Sequence, residues 1–337
     1  MRSNPRKLKQ YELEKSPFFQ LKSKKKLAEL LNVDLAALSH SKVEKLGSCY
    51  RIFIDRDSRR FITEPVGELQ AIHQRLLQYF SRIASPDYLH SARKKRSYKT
   101  NAEQHIGSVN VLKIDIKKFF PSVRSSCIHS FFANQLKCAP DIAAILTRLC
   151  TVKTRRHGLH LPTGSCISPI LSFLVNRPMF ERISKLCSVQ DCNFSLYVDD
   201  ITISGERATR ALLTSIAVEI NNSGYGFHKI KSYFAKPAIV TGLIVTSDKL
   251  CLPHERQKKI RQVDEAFRLS VDAGTRERLL ASLVGRLSEA EQIDTKYRTY
   301  RRLILARFAT DWQRVVAHRL AKMRRSTKRV VREHSLL

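Results

Sequence analysis

Two adjacent aspartates, Asp199 and Asp200, lie in the segment NFSLYVDDITISG, and the residues around them leave the chain few choices. Phe194, Leu196 and Val198 alternate with other positions before the pair, and Ile201 and Ile203 alternate after it. A period of two marks strands that bury one face. Two such strands so close together must fold back on each other, which puts the acidic pair at the tip of a tight hairpin. Like charges at that separation raise one another's pKa unless a cation neutralises them. The segment therefore predicts either a cation site or a solvated turn.

A third carboxylate favours the cation. In VNVLKIDIKKFFPSV, Leu112, Ile114 and Ile116 alternate with Val111, Lys113 and Asp115, which predicts a strand with one apolar face and one face carrying Asp115, closed by Pro121. Neighbouring strands lie ~4.8 Å apart, so Asp115 can converge with the acidic pair. Hard oxygen ligands suit Mg2+, with Mn2+ as a substitute. Two such ions about 3.5–4 Å apart would activate a hydroxyl nucleophile and stabilise a departing pyrophosphate.

The rest of the chain predicts a mixture of helices and strands. The first ~45 residues have helical spacing, with Leu27, Leu30, Leu31, Leu35 and Leu38 along one face, suiting either half of a helix-turn-helix or a helical pair packed on the next domain. SCYRIFIDRDSRRFI predicts a hairpin, EPVGELQAIHQRLLQYFSRI a helix, and SARKKRSYKTNAEQH a basic loop. Two helices follow Pro121, and Ser168 with Pro169 predicts a helix start that Pro178 interrupts. RATRALLTSIAVEINNSG predicts a helix, YGFHKIKSYFAKPAIVTGLIVT strands, and everything beyond about residue 253 basic helices.

The chain carries 61 Lys and Arg against 30 Asp and Glu over 337 residues, a net charge of +31. Such a field attracts polyanions, of which nucleic acid is the commonest in a cell. No apolar stretch is long enough to span a bilayer, and no clear basic amphipathic anchor is present, so no membrane association is expected. No apolar core follows the basic N-terminus, as a secretory signal requires. The eight cysteines form no C-x-x-C, and Cys187 with Cys192 lacks a second pair to complete a zinc site. They read as reduced thiols of a cytoplasmic protein. His157 and His160 sit among basic residues and read as solvated loop histidines.

YVDD, preceded in order by LKIDIKKFFPSV and LPTGSCISP, resembles the reverse transcriptases over roughly residues 50–245. The resemblance implies an α+β right-hand polymerase fold, with fingers and palm (an antiparallel palm sheet packed on helices) and a helical thumb. It divides the chain into an N-terminal helical segment (1–48), fingers and palm (49–245), and a basic thumb and tail (246–337). It implies Asp115, Asp199 and Asp200 as catalytic and metal-binding residues, with Ile116 beside them. Asp115 and Asp199 would bridge the metals, with Asp200 more loosely engaged. Phe120 matches the bulky residue that excludes a ribose 2′-hydroxyl, and Lys231 a lysine proposed to protonate pyrophosphate. Gly164 and Arg96 fall among the nucleotide-binding positions, and Arg60, Arg93, Lys94 and Lys95 in the fingers. Where these enzymes usually carry Gln, this chain has Thr163.

NAEQH, with Asn101, Ala102 and His105, and VTG, Val240 to Gly242, resemble segments of the retron reverse transcriptases. Asn101, His105, Val240, Thr241 and Gly242 would then bind RNA. That resemblance implies a cognate structured non-coding RNA as primer and template. It also implies deoxynucleoside triphosphates, a short DNA product (msDNA) begun from a 2′-hydroxyl of a guanosine, and a role in antiphage defence with a separate effector protein. The other readings are a group II intron-like, abortive-infection or diversity-generating reverse transcriptase, or a non-catalytic basic RNA-binding protein.

Overall fold

The computed structural model describes residues 10–334, and the side chains among them up to residue 321 except that of Lys229. The basic residues from Lys322 onward, expected to form a cationic tail, have side chains outside the described residues. The chain divides into two compact units, Met1–Lys236 and Pro237–Leu337.

The first unit opens with α1 (Lys24–Leu31) and α2 (His40–Leu46), joined by a 3-10 turn over Leu35–Leu38. The expected leucine face is shorter than its spacing suggests. Asn32 takes a left-handed conformation, and its N–H caps the Ala28 carbonyl, which ends α1. Leu27, Leu30, Leu31 and Leu38 join the core, while Leu35 stays 51% exposed. These helices pack into the core of the first unit, as the second of the two sequence readings expects. β1 (Tyr50–Ile54) and β2 (Phe61–Pro65) then form the expected hairpin, paired from Tyr50↔Pro65 to Ile54↔Phe61. α3 (Gly67–Phe80) buries Leu69, Ile72, Leu76 and Phe80. The basic segment expected as a loop contains α4 (Tyr98–Glu103). A reciprocal capping box between Ser97 and Thr100 starts this helix.

β3 (Asn110–Ile116) is followed by α5 (Phe119–Ser122), α6 (Ser125–Ser130), a π turn over Phe131–Gln135 and α7 (Pro140–Leu149). A short hairpin, β4 (Val152–Thr154) and β5 (Gly158–His160), leads into α8 (Ser168–Val189). Ser168 is the first residue of α8 rather than its cap, and its hydroxyl donates to the Pro162 carbonyl. Nor does Pro178 interrupt this helix. Met179, Phe180, Ile183 and Cys187 beyond it are buried, so packing holds the second half in line despite the lost backbone bond.

β6 (Asn193–Tyr197), β7 (Asp200–Ser204), α9 (Arg210–Asn222) and β8 (Phe227–Phe234) complete the unit. The sheet order is β6-β7-β3-β8, every pair antiparallel. This is the split β-α-β order, with β3 between its sequence-distant partners. Leu112, Ile114, Leu196, Ile201 and Ile203 point into the core. The opposite face carries Lys113, Asp115, Ser195, Asp200, Thr202 and Ser204 in register.

The second unit begins with a three-stranded antiparallel sheet, β9 (Ala238–Val240), β10 (Leu243–Val245) and β11 (Leu250–Cys251). Four helices follow: α10 (His254–Leu269), α11 (Ala273–Ala290), α12 (Lys296–Arg307) and α13 (Ala309–His334). Phe267 meets Phe308 edge-on at 4.8 Å, and the Arg276 guanidinium lies over both rings while pairing with Asp311. No helix among the described residues is long and apolar enough to cross a membrane. The eight cysteines are free thiols.

His73 and His105 are among the buried histidines held neutral. His73 is held between Ser165 Oγ (2.6 Å) and the Leu149 carbonyl (2.8 Å), and burial lowers its pKa to about 4. His105 lies between the hydroxyls of Ser204 and Ser195 (2.7 Å each), and burial lowers its pKa to about 3. Below pH ~6.5 the unfolded chain protonates both, while the folded chain does not until near those depressed values. Stability is therefore fully present above pH ~6.5 and falls as the pH drops toward 4. Going from pH 7 to 4.5 is expected to remove on the order of 5 kcal/mol through these two groups. Urea midpoints of the parent and of His105→Gln check this. The variant should lose a smaller share on acidification, and equal losses would contradict the assignment.

Candidate active site

The acidic residues occupy the end of the sheet where β3 meets the β6–β7 turn. Asp115 and Asp200 are direct cross-strand partners, and Asp199 sits on the two-residue turn between Tyr197 and Asp200. The Asp199 carbonyl accepts from the Ile116 N–H at 3.0 Å, tying the turn to the end of β3. A bulge between Asp115 and Ile116 shifts the pairing with β8 at the same level. Val198, the first turn residue, has φ +61°. Positive φ is the geometry of a II′ hairpin, in which Gly is usual and a β-branched residue is strained. The Ser91 hydroxyl accepts from the Val198 N–H at 3.0 Å and helps to hold that conformation. The segment carrying Ser91 runs beside β6, through bonds between Leu196 and both Tyr88 and His90.

Burial pushes the Asp199 carboxyl up to about 6, with the nearby Asp115 charge adding to it and the Arg60 guanidinium opposing it. Burial also raises Asp200, against the pull of Lys113. Lys113 Nζ binds Asp200 Oδ2 at 2.9 Å, and both side chains are mostly buried. His228 Nδ1 approaches Asp115 Oδ2 at 3.3 Å. Neither partner was singled out from sequence. The signal for Lys113 was present, since it lies two residues before Asp115 on the same strand face; His228 sits beside a bulge that no alternation foretells.

The donor set of carboxylate oxygens fits a hard divalent cation, because positive charge there relieves the repulsion that lifts Asp199. Ile116 has only its main-chain carbonyl to offer. Among the described residues, no three His, Cys, Asp or Glu side chains are already gathered into a closed cage. Mg2+ does not need one, since it binds through one or two carboxylates and completes its shell with water and phosphate.

The other sequence-predicted residues fall into three groups. Phe119 is core, 3% exposed, whereas Phe120 after it is only partly buried. Lys231 is exposed on β8, directly opposite Lys113, and its charge reaches Asp200. Lys231 thus lies on the strand beside the carboxylates. Arg96 lies apart: with Arg93 it pairs to Asp87, at 3.1 and 3.3 Å. Gly164 is needed close to home. A side chain there would meet Ile62 and the β2 backbone at 2.8–3.2 Å.

Asn101 and His105, expected to contact RNA, are buried, which for His105 suits the other sequence reading, a satisfied core histidine. Both are 0% exposed, and His105 spends both ring nitrogens on Ser195 and Ser204. His105 thus braces the polar face of the sheet, while the buried Asn101 amide has no hydrogen-bond partner. The Val240 side chain is likewise buried in the second unit, leaving Thr241 and Gly242, both at positive φ, partly exposed. His157 and His160 stack edge-on at 5.6 Å, and His160 is committed to Thr154 and the Leu161 carbonyl.

Fold and site together define an α+β protein that brings three carboxylates to one end of its antiparallel sheet. Comparison with known proteins narrows the class. Residues 55–261 match the reverse transcriptase (RNA-dependent DNA polymerase) family, and the chain belongs to that family. It is similar to the retron Se72 reverse transcriptase of Salmonella heidelberg (strain 579083-10), 29% identical over 216 residues, which cover 60% of this chain and 55% of that protein. The retron Ec86 reverse transcriptase of Escherichia coli is 29% identical over 215 residues, covering 60% and 63%. The retron Mx65 reverse transcriptase of Myxococcus xanthus is 28% identical over 203 residues, covering 54% and 47%. The similarity thus spans between 47% and 63% of the length of these relatives. These matches bear out the resemblance to retron reverse transcriptases read from NAEQH and VTG.

Proposed function

We propose that the chain is a retron-type RNA-directed DNA polymerase, copying part of a cognate structured non-coding RNA into short single-stranded DNA from an RNA 2′-hydroxyl. The observation that carries the reading is the in-register placement of Asp115 opposite Asp200, with Asp199 on the joining turn. In this reading the first unit supplies the fingers and palm and the second unit a basic thumb. The N-terminal helices, residues 1–48 in the sequence division, brace the palm.

Asp115 and Asp199, with the Ile116 carbonyl, would hold Mg2+ or Mn2+. Lys113 keeps Asp200 partly engaged, so Asp200 is the looser ligand. The chemistry that two such ions supply when bound is activation of the attacking hydroxyl and stabilisation of the departing pyrophosphate. Phe120 guards the sugar position, and Lys231 lies where it can give a proton to pyrophosphate. Arg60, close enough to act on Asp199, is the fingers cation best placed for the triphosphate. The excess of 61 basic over 30 acidic residues suits A-form RNA and RNA–DNA hybrid, held by backbone and shape. The enzyme would act in the cytoplasm with its RNA, deoxynucleoside triphosphates and a separate effector protein, in antiphage defence.

Expressing the gene with its upstream flank tests the reading. The expected product is a short DNA that migrates free only after ribonuclease treatment and debranching. Activity on generic primed RNA without an RNA-linked product would point to another bacterial reverse transcriptase class. RNA binding with no synthesis would leave a non-catalytic RNA-binding protein.

A further inference from the structure

Thr163 stands where related enzymes usually carry Gln, and its bonds lead away from any nucleotide. The Thr63 N–H donates to Thr163 Oγ1 at 3.1 Å. Thr163 Oγ1 in turn donates to the Phe61 carbonyl at 2.8 Å. The Thr163 N–H donates to Thr63 Oγ1 at 2.9 Å. The two hydroxyls lie 3.3 Å apart. Because the single Thr163 hydroxyl proton goes to Phe61, the Thr63 hydroxyl is the donor between them. The Gly164 N–H completes the set by donating to the Thr63 carbonyl at 3.1 Å. Residues 163 and 164 thus line the edge of β2, and Thr63 is 0% exposed. Gly164 is part of the same fit, since a Cβ there would strike Ile62 and the β2 backbone.

The hairpin held in this way is anchored at its base, where Tyr50 meets His73 edge-on, but little fixes its far end. Ile52, Ile54 and Phe61 are 49%, 62% and 50% exposed, so its outer part packs on almost nothing. Yet it carries Arg60, whose carbonyl accepts from the Asp55 N–H at 2.8 Å and which directly precedes Phe61, the residue the Thr163 hydroxyl holds. The position of that guanidinium therefore depends on what anchors β2.

We propose that Thr163 is a positioning residue: its clasp with Thr63 sets the β1–β2 hairpin, and through it Arg60, the cation that the polymerase reading assigns to the triphosphate, taking residue 163 out of direct nucleotide contact. The proposal rests on the polymerase reading above. A Gln side chain is too long to make the same inward bonds, so the clasp is a property of this chain and not of residue 163 in general.

Thr163→Val keeps the shape and removes the hydroxyl, while Thr163→Ser keeps the hydroxyl. Two measurements test the pair: deoxynucleotide dependence of synthesis on primed RNA, and hydrogen exchange of the Thr63 and Gly164 amides. Thr163→Val should raise KM for deoxynucleotide about tenfold, leave kcat within about threefold, and speed exchange at Thr63. Thr163→Ser should restore all three. A Val variant with parental KM, or one that loses kcat alone, overturns the proposal, as does failure of Ser to restore. Should Thr163→Val not fold, Thr63→Val removes the partner hydroxyl and must show the same split. A parent protein that makes no DNA overturns the polymerase reading and this proposal with it. That outcome is told apart from failure of the clasp alone, because the exchange measurement does not depend on catalysis.

Discussion

Asp199→Asn is expected to lower DNA synthesis by a thousandfold or more while leaving RNA affinity within about twofold, a loss of about 4 kcal/mol in transition-state stabilisation. Asparagine keeps the shape of the side chain and its place on the turn, and removes the charge. The turn itself does not depend on the carboxylate, because Asp199 is tied to β3 through its main-chain carbonyl. Burial and Asp115 both disfavour the Asp199 charge in the folded chain, so removing it should not lower the thermal midpoint. Primer extension on primed RNA, filter binding and a melting curve, run on one preparation, separate these effects. Undiminished synthesis would end the metal assignment; parallel loss of synthesis and of thermal midpoint would mean that the variant had misfolded.

Phe120→Ala is expected to relax discrimination against ribonucleotides by about a hundredfold, with little loss of stability. The two neighbouring phenylalanines have separate tasks. Phe119 is packed with Phe180 and Tyr225, at 6.2 and 5.7 Å between ring centroids. Removing it should cost about 3–5 kcal/mol of stability, as for other buried aromatics. Phe120 packs only partly, next to the strand that carries Asp115. Truncating it opens space at the surface and leaves no core cavity. Incorporation of ribo- against deoxynucleotides by Phe120→Ala is the measurement. Unchanged selectivity would remove Phe120 as the sugar gate, and a large drop in melting temperature would make it a core residue.

The local grammar of the catalytic sheet was legible because each strand has one apolar face and one polar face. Alternation in VNVLKIDIKKFF and NFSLYVDDITIS placed the acidic residues on the outer face and their apolar neighbours inside. Other elements hid for physical reasons. α4 is one short helix in a basic run, announced only by Ser97 and Thr100. α1 stops at Asn32 although the leucine spacing continues, because a left-handed cap overrides periodicity. α8 continues through Pro178 because long-range packing outweighs a local breaker. At the site, the carboxylates could be read but their partners could not. For His105 the pattern NAEQH left an RNA contact and a satisfied core histidine both open, because it says nothing of depth. Its two serine partners lie 90 and 99 residues away. The Thr163 clasp spans 100 residues and is invisible until the fold brings Thr63 beside it.

The two-residue turn at Val198 and Asp199 also limits how this gene can change over generations. Side chains on a strand alternate with a period of two, so one inserted or deleted residue reverses every position that follows. Between Tyr197 and Asp200, such a change would send Asp200 and Thr202 toward the apolar core and turn Ile201 and Ile203 onto the polar face that carries Asp115. Substitution at Val198 only alters the strain in a turn that already holds an unfavourable φ. Lineages of this protein can therefore vary in spelling at the turn but not in length, and indel-free alignment across these positions is the expected mark of descent with activity retained.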